Sequence, residues 1–150
     1  MKPRVNVFFF VCLTVNVSLV LAEPKPNTDK TGLALQGYDP VAYFTDGKPV
    51  LGKEEFHATY HDAIYRFAST EHQAMFEKDP AKYEPQCGGY CAYGMAKGHL
   101  APAKIDSFQI VDGHLFMQYD AATRDTFNKD QKANVEAAKK NWQMLHDKNN

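Results

Sequence analysis

Phe108-Gln109-Ile110-Val111-Asp112-Gly113-His114-Leu115-Phe116-Met117-Gln118-Tyr119 is the stretch on which the fold reading turns. Two apolar-rich runs flank Asp-Gly, the two-residue turn that tolerates positive φ and matches the twist of paired strands. The symmetry about that turn places Ile110 opposite Leu115 and Phe108 opposite Met117. A second hairpin precedes it. From Glu55 the pattern alternates, with Phe56, Ala58 and Tyr60 on one face and His57 and Thr59 on the other. After a turn at His61-Asp62-Ala63, Tyr65 and Phe67 rejoin the first set. The loop is either His61-Asp62 or Asp62-Ala63, and both choices keep Ala58, Tyr60, Tyr65 and Phe67 together.

Helical signals surround the hairpins. Thr70 with Gln73 forms a capping-box pattern, and Glu71 suits the positive end of a helix that runs to Asp79 and stops at Pro80. Met75 and Phe76 face inward from it. From Asp130, Val135, Ala138, Trp142 and Leu145 recur at helical spacing, with Trp142 as the anchor. The expected fold is a small single α+β domain, with two β-hairpins forming an antiparallel sheet packed by short helices and a C-terminal helix.

The N-terminus sets the expected compartment. Lys2 and Arg4 precede a largely apolar run from Val5 to Leu21, and Val20-Leu21-Ala22 leads into a charged, proline-broken start at Glu23. This is the pattern of a signal peptide, residues 1–22, and it implies a periplasmic or secreted protein. An uncleaved anchor is the alternative, since the run is at the lower limit for a membrane span. Cys12 lies inside it and is discarded with it. Residues 23–36, with prolines, Asn, Thr, Asp and lysines and no apolar period, read as a flexible leader with order starting near Thr31. Residues 37–147 form the domain. Loss of Lys2 and Arg4 moves the formal charge from −1 to −3 by removing two positive charges. No basic run remains to bind nucleic acid, and no membrane contact is expected after cleavage.

Chemistry concentrates in Pro85-Gln86-Cys87-Gly88-Gly89-Tyr90-Cys91-Ala92-Tyr93-Gly94-Met95. Three sulfur side chains stand four residues apart. Sulfur binds Cu(I) and other soft metals, whereas two thiols in an oxidising compartment also form disulfides. On a continuous helix Cys87, Cys91 and Met95 would share a face with Cβ atoms about 5–6 Å apart, too far for a disulfide and suited to a metal ion. Gly88-Gly89 opposes that helix and moves its start to near Tyr90, which frees Cys87 and makes the disulfide geometrically possible. Cys91 then falls in a first helical turn, where the helix dipole favours thiolate.

His99, eight residues after Cys91 and beyond Lys97-Gly98, is a candidate nitrogen donor. Cys87, Cys91, Met95 and His99 are therefore the candidate metal ligands, with copper the favoured ion. His72, at the helix start, could face the same pocket. His57, His61, His114 and His146 are assigned to the surface. Haem attachment is excluded because no histidine follows Cys91, and zinc-ribbon spacing is absent. Ser69, Ser107 and Asp39 read as caps and surface, with no nucleophile-elbow or paired-acid motif to make an enzyme.

Several segments together resemble exported proteins of the YHS-domain family. They are the first hairpin, Phe67-Ala68-Ser69, Phe76-Glu77-Lys78-Asp79-Pro80, Lys82-Tyr83, Gly88-Gly89-Tyr90-Cys91-Ala92, and Val111-Asp112-Gly113 with its following strand. The resemblance spans Gly37 to Trp142. It implies a small α+β module connected with heavy-metal handling, and a metal ion or a metal-handling protein as partner. Metal-associated members resemble Tyr-x-Gly-x-x-Tyr-x-Phe-Cys-Ser-x-x-Cys. Here Ala68 and His72 stand where the two thiols would be, and Asp62-Ala63 occupies the turn. The exported branch carries the Gly-Gly-Tyr-Cys-Ala segment instead, often with an aromatic residue where this chain has Cys87.

Two functions from different classes follow. One is a binding module for a soft metal ion through Cys87 and Cys91, completed by Met95 or His99. The other is a structural or interaction domain whose cysteines form a disulfide or pack, with Tyr38, Tyr43, Tyr60 and Tyr65 as core or partner surface. A thiol redox protein is the third reading.

Overall fold

The structure is a computed structural model that describes residues 24–148, with side chains described to Leu145. The expected signal peptide lies outside the described residues. Among the described residues, no helix is long and apolar enough to cross a membrane.

The chain enters through a left-handed 3₁₀ turn at Leu35–Gly37 and a short helix α1, Ala42–Thr45. The first hairpin follows, β1 (Lys53–Tyr60) with β2 (Ala63–Phe67). Its loop is His61-Asp62, both at positive φ (46° and 60°), so Tyr60 pairs with Ala63 and Ala58 with Tyr65. Two left-handed residues make this a primed turn, and aspartate tolerates the conformation that the resembled motif assigns to glycine. Ala63, Tyr65 and Phe67 are buried, and Phe56, Ala58 and Tyr60 pack against the same cluster.

Helix α2 (Thr70–Lys78) is capped by Ser69 rather than Thr70: the Ser69 hydroxyl accepts the His72 N–H at 3.2 Å. The two hydroxyl residues are adjacent, and the extended backbone of Ser69 decides which becomes the cap. Asp79 closes α2, and Pro80 opens α3 (Pro80–Tyr83), where its missing N–H costs nothing. After α4 (Ala92–Ala96) comes the second hairpin, β3 (Lys104–Val111) with β4 (His114–Gln118). Ile110 pairs with Leu115 and Phe108 with Met117 across Asp112-Gly113, as the turn chemistry requires. Two helices close the chain, α5 (Ala121–Asn128), capped by Asp120 on the Thr123 N–H, and α6 (Gln131–Lys148).

The α+β class and the C-terminal helix are as expected, but each hairpin remains its own two-stranded sheet. The hairpins meet through side chains. Tyr43 and Phe108 stack edge to face at 4.6 Å, and Tyr65, Phe67, Phe76, Leu115 and Met117 share one core. Single bridges occupy strand edges instead, Leu33 with Ile64 and Pro85 with Leu115. Proline has no N–H with which to extend a ladder.

The segment expected to be a flexible leader is docked. Asn27 donates its backbone N–H to the Gly88 carbonyl at 2.8 Å and its amide to Gly89 at 3.2 Å. The Asp29 carboxylate accepts from Thr31 and Leu33, turning the chain so that Ala34 and Leu35 enter the core. The domain therefore includes residues 24–36.

Alkaline pH should loosen this core. Burial pushes the Tyr43 and Tyr65 phenols above their usual range and the Cys87 thiol up to about 12. The unfolded chain gives up these protons first, so the native state binds more of them and stability falls as pH rises. The denaturant midpoint should be level up to the unfolded thiol value of 9.0 and decline through about 12. A midpoint constant to pH 11 would show that these groups are hydrated in the folded protein.

Candidate functional site

The sulfur segment folds as two pieces. Gln86–Gly89 is a 3₁₀ turn in which Cys87, Gly88 and Gly89 all have positive φ (54°, 61° and 80°), incompatible with a continuous right-handed helix. Helix α4 starts only at Ala92, so Cys91 is its N-cap residue and not part of a first helical turn. The Cys91 N–H is fixed on the Ala101 carbonyl at 2.9 Å.

This geometry divides the three sulfurs. Cys87 and Met95 enter one apolar cluster with Ala138, bordered by Ala96, Trp142 and Leu145. Cys91 turns toward the second hairpin. Its Sγ donates to Gln118 Oε1 at 3.4 Å and accepts the Tyr119 N–H at 3.3 Å. Both cysteines are buried free thiols. Burial drives the Cys87 thiol up to about 12; the Lys139 charge opposes that shift, and Cys91 adds to it. Cys91 is thus close enough to influence whether Cys87 ionises.

Gln118 is the residue that sequence reasoning missed. It is fully buried, and its Oε1 accepts both the Cys91 thiol and the Tyr93 N–H at 3.2 Å. The N–H donor of Tyr93 fixes which amide atom is the oxygen. Its Nε2 has no partner among the described residues. Only the alternation of β4, which points Gln118 to the same side as Phe116, hinted that a polar side chain would be buried here.

Cys87 also borders a cavity of about 230 Å³, shared with Pro24, Pro26, Tyr65, Glu84 and Trp142. His99 is not brought to the sulfurs by any contact in this arrangement. It is exposed, its N–H donates to Gly94, and a side chain on Gly94 would lie 3.5 Å from its Nε2. His114, expected at the surface, has its Nδ1 buried, with no partner among the described residues.

His72 belongs to a separate polar cluster. Its Nδ1 donates to Asp39 Oδ2 at 2.7 Å, and its Nε2 is 3.3 Å from the Thr45 hydroxyl. Asp39, expected as a cap or at the surface, is fully buried. Among the described residues, no three or more His, Cys, Asp or Glu side chains are grouped to hold a metal ion. A closed multidentate cage is therefore not preformed among the described residues.

No family model matches the chain, and neither a curated protein nor a solved structure matches it.

Proposed function

We propose that this chain is an exported YHS-type binding module that takes up a soft metal ion, Cu(I) for preference, between the thiols of Cys87 and Cys91. The observation that carries the reading is two buried free thiols, near enough for Cys91 to oppose ionisation of Cys87, with Cys87 on the wall of a cavity. Soft sulfur donors select Cu(I), which is content with few ligands where zinc asks for four. Met95, packed with Cys87, is the neighbouring thioether. His99, exposed on the loop after α4, is not needed. Periplasmic or secreted placement rests on the N-terminal charge and apolar pattern.

Uptake requires that the thiols lose their protons, and burial holds the Cys87 proton tightly. Affinity should therefore rise with pH across the neutral range. A second reading is favoured by one observation: Cys91 already fills its hydrogen-bonding capacity with Gln118 and Tyr119, as a packing residue would. The domain would then serve as a structural or interaction module with no metal.

Anaerobic competition with a chromogenic Cu(I) chelator separates the two. With Cys12→Ser as background, the chain should bind one equivalent. Cys87→Ser and Cys91→Ser should each weaken binding beyond the roughly 10–100-fold typical of losing a group behind a metal ligand. Equal binding by all three proteins would remove the thiol site and leave the packing reading.

A further inference from the structure

The geometry points to a second binding site, for a small organic cation with an apolar body, in the cavity between the N-terminal strap and the second hairpin. This cavity measures about 370 Å³, at the lower end of small-molecule sites, which suits a ligand of one ring and a short chain. It is independent of the thiol proposal, since neither cysteine lines it.

The floor is apolar. Leu35 and Met117 belong to the main core, and Ala103 and Ile105 pack against it, so a ring placed there would rest on a rigid surface. The rim is polar and carries one formal charge. Asn27, Thr28 and Gln36 are neutral, no Lys, Arg or His lines the cavity, and Asp29 supplies its carboxylate. Asp29 Oδ1 takes the Thr31 N–H, the Thr31 hydroxyl and the Leu33 N–H at 2.8, 2.7 and 3.0 Å. No protein donor reaches Oδ2 among the described residues, so a ligand ammonium would find an unshared oxygen there. Those same hydrogen bonds hold the carboxyl below the ordinary carboxylate value, so it is charged at neutral pH.

The walls are held in place before any ligand arrives. Asn27 is bound to the Gly88 and Gly89 carbonyls, and Gly89 itself lines the cavity. Also in the lining, Leu35 and Gln36 are consecutive non-glycine residues at positive φ (50° and 53°), locked by Gly37 N–H on Ala34 and Tyr38 N–H on Leu35. A wall already ordered does not charge its ordering entropy to the ligand.

The test uses the full chain in the Cys12→Ser background and three probes of similar shape: phenethylamine, phenethyl alcohol and 3-phenylpropanoate. Amide chemical shifts of Asp29, Gln36 and Ile105 should move saturably with the amine. The carboxylate should bind at least about fivefold more weakly, as expected for reversing one charge near a solvent-accessible carboxylate. Asp29→Asn, which keeps the Oδ1 acceptor of the turn, should bring the amine down to the level of the alcohol. Ala103→Phe should fill the space and abolish all three responses while the remaining spectrum is unchanged. Equal binding of amine and carboxylate would overturn the assignment. So would shifts scattered over other acidic surface residues, or amine binding that survives both substitutions.

Discussion

Asp39→Ala should lower the unfolding free energy by about 3–5 kcal/mol, the range for removing one partner from a buried charged network. The carboxylate is fully buried and joins three segments. Oδ1 accepts the Val41 and Ala42 N–H groups at 2.8 and 3.3 Å, which opens α1, and Oδ2 accepts the Ala68 N–H at 2.8 Å where β2 ends. The fourth donor is His72 Nδ1 from α2. Alanine leaves all four donors without their acceptor, and two of them, the Val41 and Ala42 N–H groups, belong to fully buried residues. Asp39→Asn keeps the shape and part of the acceptor capacity, so its cost should be roughly half as large. Guanidinium unfolding at pH 7 measures both, and a loss below about 1 kcal/mol for alanine would mean that water replaces the carboxylate.

Gly88→Ala should cost about 2–4 kcal/mol, combining left-handed backbone strain with overpacking. Gly88 has φ 61°, and a Cβ there would lie 2.5 Å from Trp142 Cη2 and 3.2 Å from the Pro26 Cα. Either the indole or the docked strap must move. Trp142 is the single tryptophan of the chain, so its emission should shift to the red along with the loss of stability. Gly47→Ala is the control: it has a positive φ (66°) but nothing within 4 Å, so only the backbone strain applies. Similar losses at both positions, with unchanged Trp142 emission, would contradict the close packing of helix α6 on the cysteine turn.

The contrast between these sites reflects what a linear sequence records. The second hairpin was legible to the residue because Asp112-Gly113 sets the register locally, and the alternation around it specifies the buried face. The first hairpin was legible in its face, while its loop was settled only by the left-handed backbone of His61 and Asp62. The docking of residues 24–36 was not legible. It relies on carbonyls of Gly88 and Gly89 far along the chain and on a local aspartate turn, neither of which has a period.

The same holds at the sulfurs. Gly88-Gly89 correctly argued against a continuous helix through Cys87, yet nothing near Cys91 announced Gln118, its partner across the domain. Asp39 was misread for a related reason. In the sequence it reads as a cap or surface aspartate, and only the packing of Ala68 and His72 over it turns the carboxylate into a buried hub.

The most direct measurement on the thiol pair is copper K-edge absorption of the Cu(I)-loaded chain in the Cys12→Ser background. A first shell of sulfur, lost on Cys87→Ser or Cys91→Ser, is the predicted result. A shell dominated by nitrogen or oxygen, unchanged in both variants, would contradict the assignment of Cys87 and Cys91 as ligands.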